Sequence, residues 1–98
     1  MDIVKKADGT HLTLELSGRL DTTTAPQLEE VLNASLSGVT ELILDFKALN
    51  YISSAGLRIT LTAQKIMNKQ GSMKLRNVNA DIMEVFEITG FSDILTIE

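Results

Sequence analysis

The stretch Asp45-Phe46-Lys47-Ala48-Leu49-Asn50-Tyr51-Ile52-Ser53-Ser54-Ala55-Gly56-Leu57-Arg58 decides how this chain folds, because it leaves an apolar strand and enters a helix through a pair of serines. Just upstream, Glu41-Leu42-Ile43-Leu44-Asp45-Phe46 has the composition of a short strand buried on both faces, as in a parallel sheet. Downstream, Leu57 and Leu61 stand four apart, as do Ile59 and Ala63, and Ile66 and Met67 extend the apolar side, which predicts a helix over residues 54 to 70. Lys65 and Lys69 suit its C-terminal end, and Gly71 is expected to supply the left-handed C′ position beyond it. Hydroxyls at such a junction can do more than cap. The first-turn N–H groups lack intrahelical partners and the helix dipole adds positive potential, so a phosphate attached there would be stabilised locally.

Working outward, residues 11 to 17 place Leu12, Leu14 and Leu16 on one face and Thr13 and Glu15 on the other, the period of a half-buried strand. Asp8-Gly9 before it favours a type I′ turn, so residues 3 to 7 are expected to form the antiparallel partner of an N-terminal hairpin. Thr24 and Gln27 have capping-box spacing, Pro26 falls in the first turn, and Leu28, Val31, Leu32 and Leu36 mark the inner face of a helix over about 25 to 36. After Gly71, residues 73 to 78 alternate as a strand. Asn79 caps a third helix, with Val78 and Met83 as a hydrophobic staple and Gly90 as its stop. Phe91 is expected to contact Phe86 across that C-cap, and residues 94 to 97 to add a last short strand. The order β-β-α-β-α-β-α-β implies a single α/β domain spanning residues 1 to 98, a mixed sheet with an N-terminal β-hairpin and helices packed against it.

Composition removes several functions. A net charge of −4 without a basic block argues against direct nucleic-acid binding. With no cysteine and a single histidine, His11, neither a disulfide framework nor a His/Cys metal cluster can be assembled. The N-terminus lacks a signal-peptide profile and no apolar run is long enough to span a membrane, so the expected setting is cytoplasmic, without membrane insertion. The size and the lack of a long apolar edge point to a monomer.

Catalysis has little to stand on. His11, early in a strand beside the hairpin turn, is a poor base for a serine, and neither a Gly-x-Ser-x-Gly elbow nor a phosphate-cradling glycine loop occurs. Glu29-Glu30 and the set Asp81, Glu84 and Glu87 have the placement of solvated helix faces. Two loci are left, Asp21 with Thr22 and Thr23 before the first long helix, and Ser53-Ser54 before the second. Both follow strands, and loops leaving the carboxyl ends of strands in an α/β sheet converge on one edge. Serine and threonine are also ordinary N-cap residues, so both readings stand at this point.

Tyr51-Ile52-Ser53-Ser54-Ala55-Gly56-Leu57-Arg58, preceded by Leu42-Ile43-Leu44-Asp45-Phe46, resembles the signature of STAS domains, the bacterial anti-sigma factor antagonists. Gly18-Arg19-Leu20-Asp21 before a Thr-rich turn and Ala25 is similar to that family's Gly-x-Leu/Ile-Asp segment. Neither motif is specific alone; with the element order they are, and the resemblance spans nearly the whole chain. It implies a non-enzymatic partner-switching protein without a cofactor. Its partners would be an anti-sigma factor that is also a serine kinase, bound by the unphosphorylated antagonist so that a sigma factor is freed, and a PP2C-type phosphatase that reverses phosphorylation.

In the family pattern Asp-Ser-Ser/Thr-Gly-Leu, the phosphoacceptor is the first hydroxyl after the acid. Here that is Ser54, while Ser53 stands where the family has Asp and Ala55 where it has the second Ser/Thr. Many members carry a final helix after the last strand, a surface expected to be absent or reduced in a sequence ending at Glu98. The resemblance implies a partner surface of Asp21, Thr22, Ser53, Gly56, Leu57 and Arg58 around Ser54. In it Gly56 lets partner backbone approach, Leu57 serves either as an apolar anchor or in the core, and Arg58 offers a cation to an acidic partner. A rival from another class is a STAS adaptor subunit of a transporter or lipid-trafficking complex, with Ser54 only a helix cap. A small nucleotide-binding module ranks last, for want of a phosphate loop.

Overall fold

The computed structural model describes residues 1–98. Strands β1 (Asp2–Asp8), β2 (His11–Leu20), β3 (Glu41–Ile52) and β4 (Ser72–Arg76) form one sheet in the order β1-β2-β3-β4. β1 and β2 are antiparallel, whereas β2, β3 and β4 are parallel and are joined by helices α1 (Ala25–Ser35) and α2 (Ser54–Gln70). Helix α3 (Ala80–Thr89) and a 3₁₀ turn over Phe91–Asp93 follow. Strand order follows chain order, so two right-handed crossovers bring α1 and α2 to the same face, where they pack on each other. The expected mixed α/β sheet with its N-terminal hairpin is what forms.

That face holds the core. Leu12, Leu14 and Leu16 of β2, Leu42 and Leu44 of β3, and Met73 and Leu75 of β4 point into it and meet Leu28 and Leu32 of α1 and Ala63 and Met67 of α2. From α3, Phe86 sets its ring 6.3 Å from that of Phe46 at a tilt of 42°. The opposite face is half open: Thr13, Glu15, Ile43 and Lys74 are partly exposed, so β3 is not buried on both faces as its composition suggests.

Asp45 is the exception on the open face. Its Oδ1 accepts from Asn77 Nδ2 (3.0 Å) and from the Lys47 backbone N–H (2.9 Å), and its Oδ2 pairs with Arg76 Nη2 at 3.2 Å. Burial raises the pKa of this carboxyl, but the Asn77, Lys47 and Arg76 contacts together outweigh it and hold the group below its ordinary value. A carboxyl depressed on folding adds stability above the unfolded-state pKa and loses it as pH falls through the lower folded value. Asp45→Asn keeps two of the three contacts and is expected to cost no more than about 1 kcal/mol at neutral pH, since Arg76 is partly exposed. The variant should also show a flatter loss of stability on acidification, which urea unfolding at stepwise lower pH would measure.

Several expectations about element ends are corrected. Asp8 pairs with His11, so the turn residues are Gly9 and Thr10; only Gly9 has positive φ (62°), the pattern of a type II′ rather than a type I′ turn. Strand β3 runs on to Ile52 because it carries register shifts opposite Glu15/Ser17 and Gly18/Arg19. No capping box forms at α1: the Thr24 side chain makes no cap bond, and Gln27 Nε2 instead donates to the Met1 carbonyl. β4 stops at Arg76, before Asn77 turns left-handed at φ 59°. The last strand shrinks to a single bridge between Leu75 and Ile97, and Gly71 takes an extended backbone at φ 172° where a left-handed C′ residue is expected.

Candidate functional site at the carboxyl edge of the sheet

Parallel pairing of β2 with β3 brings the two loci together. Arg19 faces Tyr51 and Leu20 faces Ile52 in register, and the Ser53 backbone N–H donates to the Leu20 carbonyl at 2.9 Å. The turn entering α1 and the serines entering α2 are therefore neighbours. A shallow groove between the two helices is lined by Thr22, Ala25 and Glu29 on one side and Ala55, Arg58 and Thr62 on the other.

The serines divide the work. Ser53 has extended backbone (φ −99°, ψ 178°) and is the N-cap of α2, its Oγ accepting from the Gly56 N–H at 3.3 Å. Ser54, the first residue of the helix, is exposed. The cap assigned to Ser54 in the adaptor reading thus falls to Ser53. An aspartate at this position would cap equally well, so Ser53 keeps the cap while giving up the charge.

Asp21 builds its own turn. Its Oδ1 accepts from the N–H groups of Thr23 (3.0 Å) and Thr24 (3.1 Å), while Thr24 Oγ1 donates to the Arg19 carbonyl at 2.7 Å. The Thr24 backbone N–H is the main reason the Asp21 carboxyl sits below its ordinary pKa; partial desolvation opposes it, and the bonds from Thr23 and Arg19 add to the lowering. Thr22 is exposed beside it.

Two residues of the expected partner surface lie in the core instead. Leu57 is 7% exposed and packs in the apolar cluster. Gly56 is buried, and a Cβ built there would stand 2.7 Å from Ile52 Cγ1, 2.8 Å from Leu20 Cγ and 2.9 Å from the Leu20 carbonyl oxygen. Gly56 lets α2 approach the strand ends of its own chain, not a partner's backbone. Arg58 is exposed.

A further pair lies at this edge. The Arg19 guanidinium lies 4.1 Å over the Tyr51 ring and its Nε is 3.5 Å from Asp21 Oδ2. Tyr51 is 40% exposed at the same edge. Only the β2–β3 register reveals this pair. His11 begins β2, at the end of the sheet away from the serines, with Nε2 3.8 Å from Glu41 Oε2. It is out of reach as a base for either hydroxyl.

The mixed sheet with its N-terminal hairpin and crossover helices is the α/β architecture of the STAS class of domain, and the STAS domain family matches residues 2–98. The chain belongs to that family. It is 38% identical over 94 residues to BtrV of Bordetella bronchiseptica, a candidate anti-sigma factor antagonist, covering 94% of this chain and 80% of that protein. It is 31% identical over 93 residues to the anti-sigma-B factor antagonist of Bacillus subtilis, covering 94% and 85%. Among solved structures the fold matches the anti-sigma factor antagonist SpoIIAA of Bacillus at 19% identity. The TM-score is 0.79 for its unphosphorylated form (99% of this chain, 87% of that one) and 0.77 for its phosphorylated form (99% and 91%). No helix of the chain is long and apolar enough to cross a membrane.

Proposed function

We propose that this protein is an anti-sigma factor antagonist operated by phosphorylation of Ser54. Unphosphorylated, it binds in the cytoplasm, as a monomer, to an anti-sigma factor that is also an ATP-dependent serine kinase, and a sigma factor is released. In the transfer, Ser54 Oγ bonds to the γ-phosphorus of ATP as the bond from that phosphorus to the β–γ bridging oxygen breaks. ADP leaves, and the hydroxyl proton passes to a base on the kinase. A PP2C-type phosphatase reverses the step by hydrolysis, releasing inorganic phosphate.

The observation that carries this reading is the division between the serines: Ser53 is committed to capping α2, and Ser54 stands exposed on its first turn. Relatives that are anti-sigma factor antagonists at 31% identity over most of both chains support it. The surface offered to the partner consists of Ser54, Arg58 and Thr22, with the Arg19–Tyr51 pair beside them, on a frame set by Ser53 and Asp21. Incubation with the cognate kinase and ATP, followed by mass-spectrometric mapping, is expected to place one phosphate on Ser54 and none on a Ser54→Ala variant. Phosphate on Ser53 or on the Thr22–Thr24 turn, or none with a kinase active on another substrate, would overturn the assignment.

A further inference from the structure

Ser54 and Arg58 are four apart on α2 and both exposed, and side chains at that spacing stand about 5–6 Å apart on one helix face. The charged groups nearby are Arg19 and Asp21 at the end of β2 and Glu29 across the groove on α1. Arg19 is engaged by the Tyr51 ring and by Asp21, and Asp21 is engaged in turn by Arg19 and its own turn N–H groups. Glu29 lines the same groove as Arg58 without forming an ion pair, and none of the five ion pairs in the chain includes Arg58. Arg58 is thus the cation of this edge that lacks an anion, one helical turn beyond the serine.

We infer that Arg58 is the intramolecular counter-ion of phosphorylated Ser54, so that phosphorylation withdraws this guanidinium from the partner surface while adding charge beside it. The inference rests on the reading of Ser54 as phosphoacceptor. Guanidinium and phosphate match as a bidentate pair, and an anion four residues N-terminal to a cation is the favourable order along a helix. The two states then differ in what Arg58 holds: an acidic group of the partner before phosphorylation, the chain's own phosphate after it. One modification removes an attraction and installs a repulsion.

The test installs phosphoserine at position 54 of the full chain by genetic encoding, without any kinase, and follows its phosphorus-31 resonance through a pH titration. A nearby cation stabilises the dianion, so the second ionisation is expected about half a pH unit lower in the parent than in Arg58→Gln, with Arg58→Lys between. Arg19→Gln, which removes the engaged arginine, should leave the midpoint in place. Equal midpoints for the parent and Arg58→Gln overturn the inference, as does a shift produced by Arg19→Gln alone. A kinase that modifies another residue would sink the Ser54 assignment without touching this result, so the two failures are distinguishable.

Discussion

Gly56→Ala is expected to destabilise the domain by about 2–3 kcal/mol, although it adds one methyl group to a helix. Alanine is the better helix former, and on propensity alone the change should stabilise by up to about 1 kcal/mol. The surroundings reverse that sign. The new carbon would meet Ile52 Cγ1, Leu20 Cγ and the Leu20 carbonyl oxygen at 2.7 to 2.9 Å. The side chains can rotate away, but the carbonyl cannot move freely, because it accepts the Ser53 N–H that ties β3 to β2 at this edge. Relief must come from sliding the N-terminal turn of α2 outward, which carries Ser53, Ser54 and Arg58 with it. In a domain of this size the midpoint of thermal unfolding should fall by about 10–15 °C. A variant as stable as the parent would show that α2 does not depend on this close approach. Partner binding should weaken together with stability, since the glycine sets the height of the helix on which the site stands.

How far the sequence discloses this arrangement depends on which physical signal each part carries. The leucines of β2 repeat every second residue and the buried residues Gly56, Ile59, Ala63 and Met67 of α2 stand three and four apart, so their elements and inward faces are legible directly. The second half of β3 is not. Its buried residues Phe46, Leu49 and Ile52 stand three apart, because each register shift inserts a residue and returns the next apolar side chain to the core face. A spacing of three is neither a clean strand nor a clean helix, which is why residues 47 to 52 look like a connection. The same pairing hides Arg19 and Tyr51, whose contact exists only once β2 and β3 are aligned.

Capping signals were equally mixed. Asn79 accepts from the Ile82 N–H at 2.8 Å as its position promises. Thr24 has the right spacing to Gln27 but is drawn to the Arg19 carbonyl, and Asp21 satisfies the N–H groups of the turn instead. A cap motif specifies which bonds are possible locally; the preceding turn decides which are made. For Leu57 and Gly56 the family motif marks positions that matter without saying why, and burial assigns both to packing.

Ser54→Asp is expected to lower affinity for the partner kinase about a hundredfold while leaving the fold intact, and Ser54→Ala to bind within a few-fold of the parent. The contrast follows from where the side chain stands. It is exposed at the first turn of α2, where a negative charge is favourable by about 0.3–1 kcal/mol, so Ser54→Asp should be as stable as the parent or slightly more so. In a complex the same carboxylate would be desolvated against a surface that accepts an uncharged hydroxyl and, through Arg58, presents acidic groups; like charges brought together there cost several kcal/mol. A hundredfold change corresponds to about 2.8 kcal/mol, well inside that cost. Alanine removes the acceptor without adding charge, so it should bind and never release when ATP is supplied. Calorimetric titration of the three proteins with the kinase, alongside their thermal unfolding, separates binding from folding. Binding of Ser54→Asp within threefold of the parent would mean that this edge does not face the partner, and the adaptor reading, in which Ser54 carries no switch, would take its place.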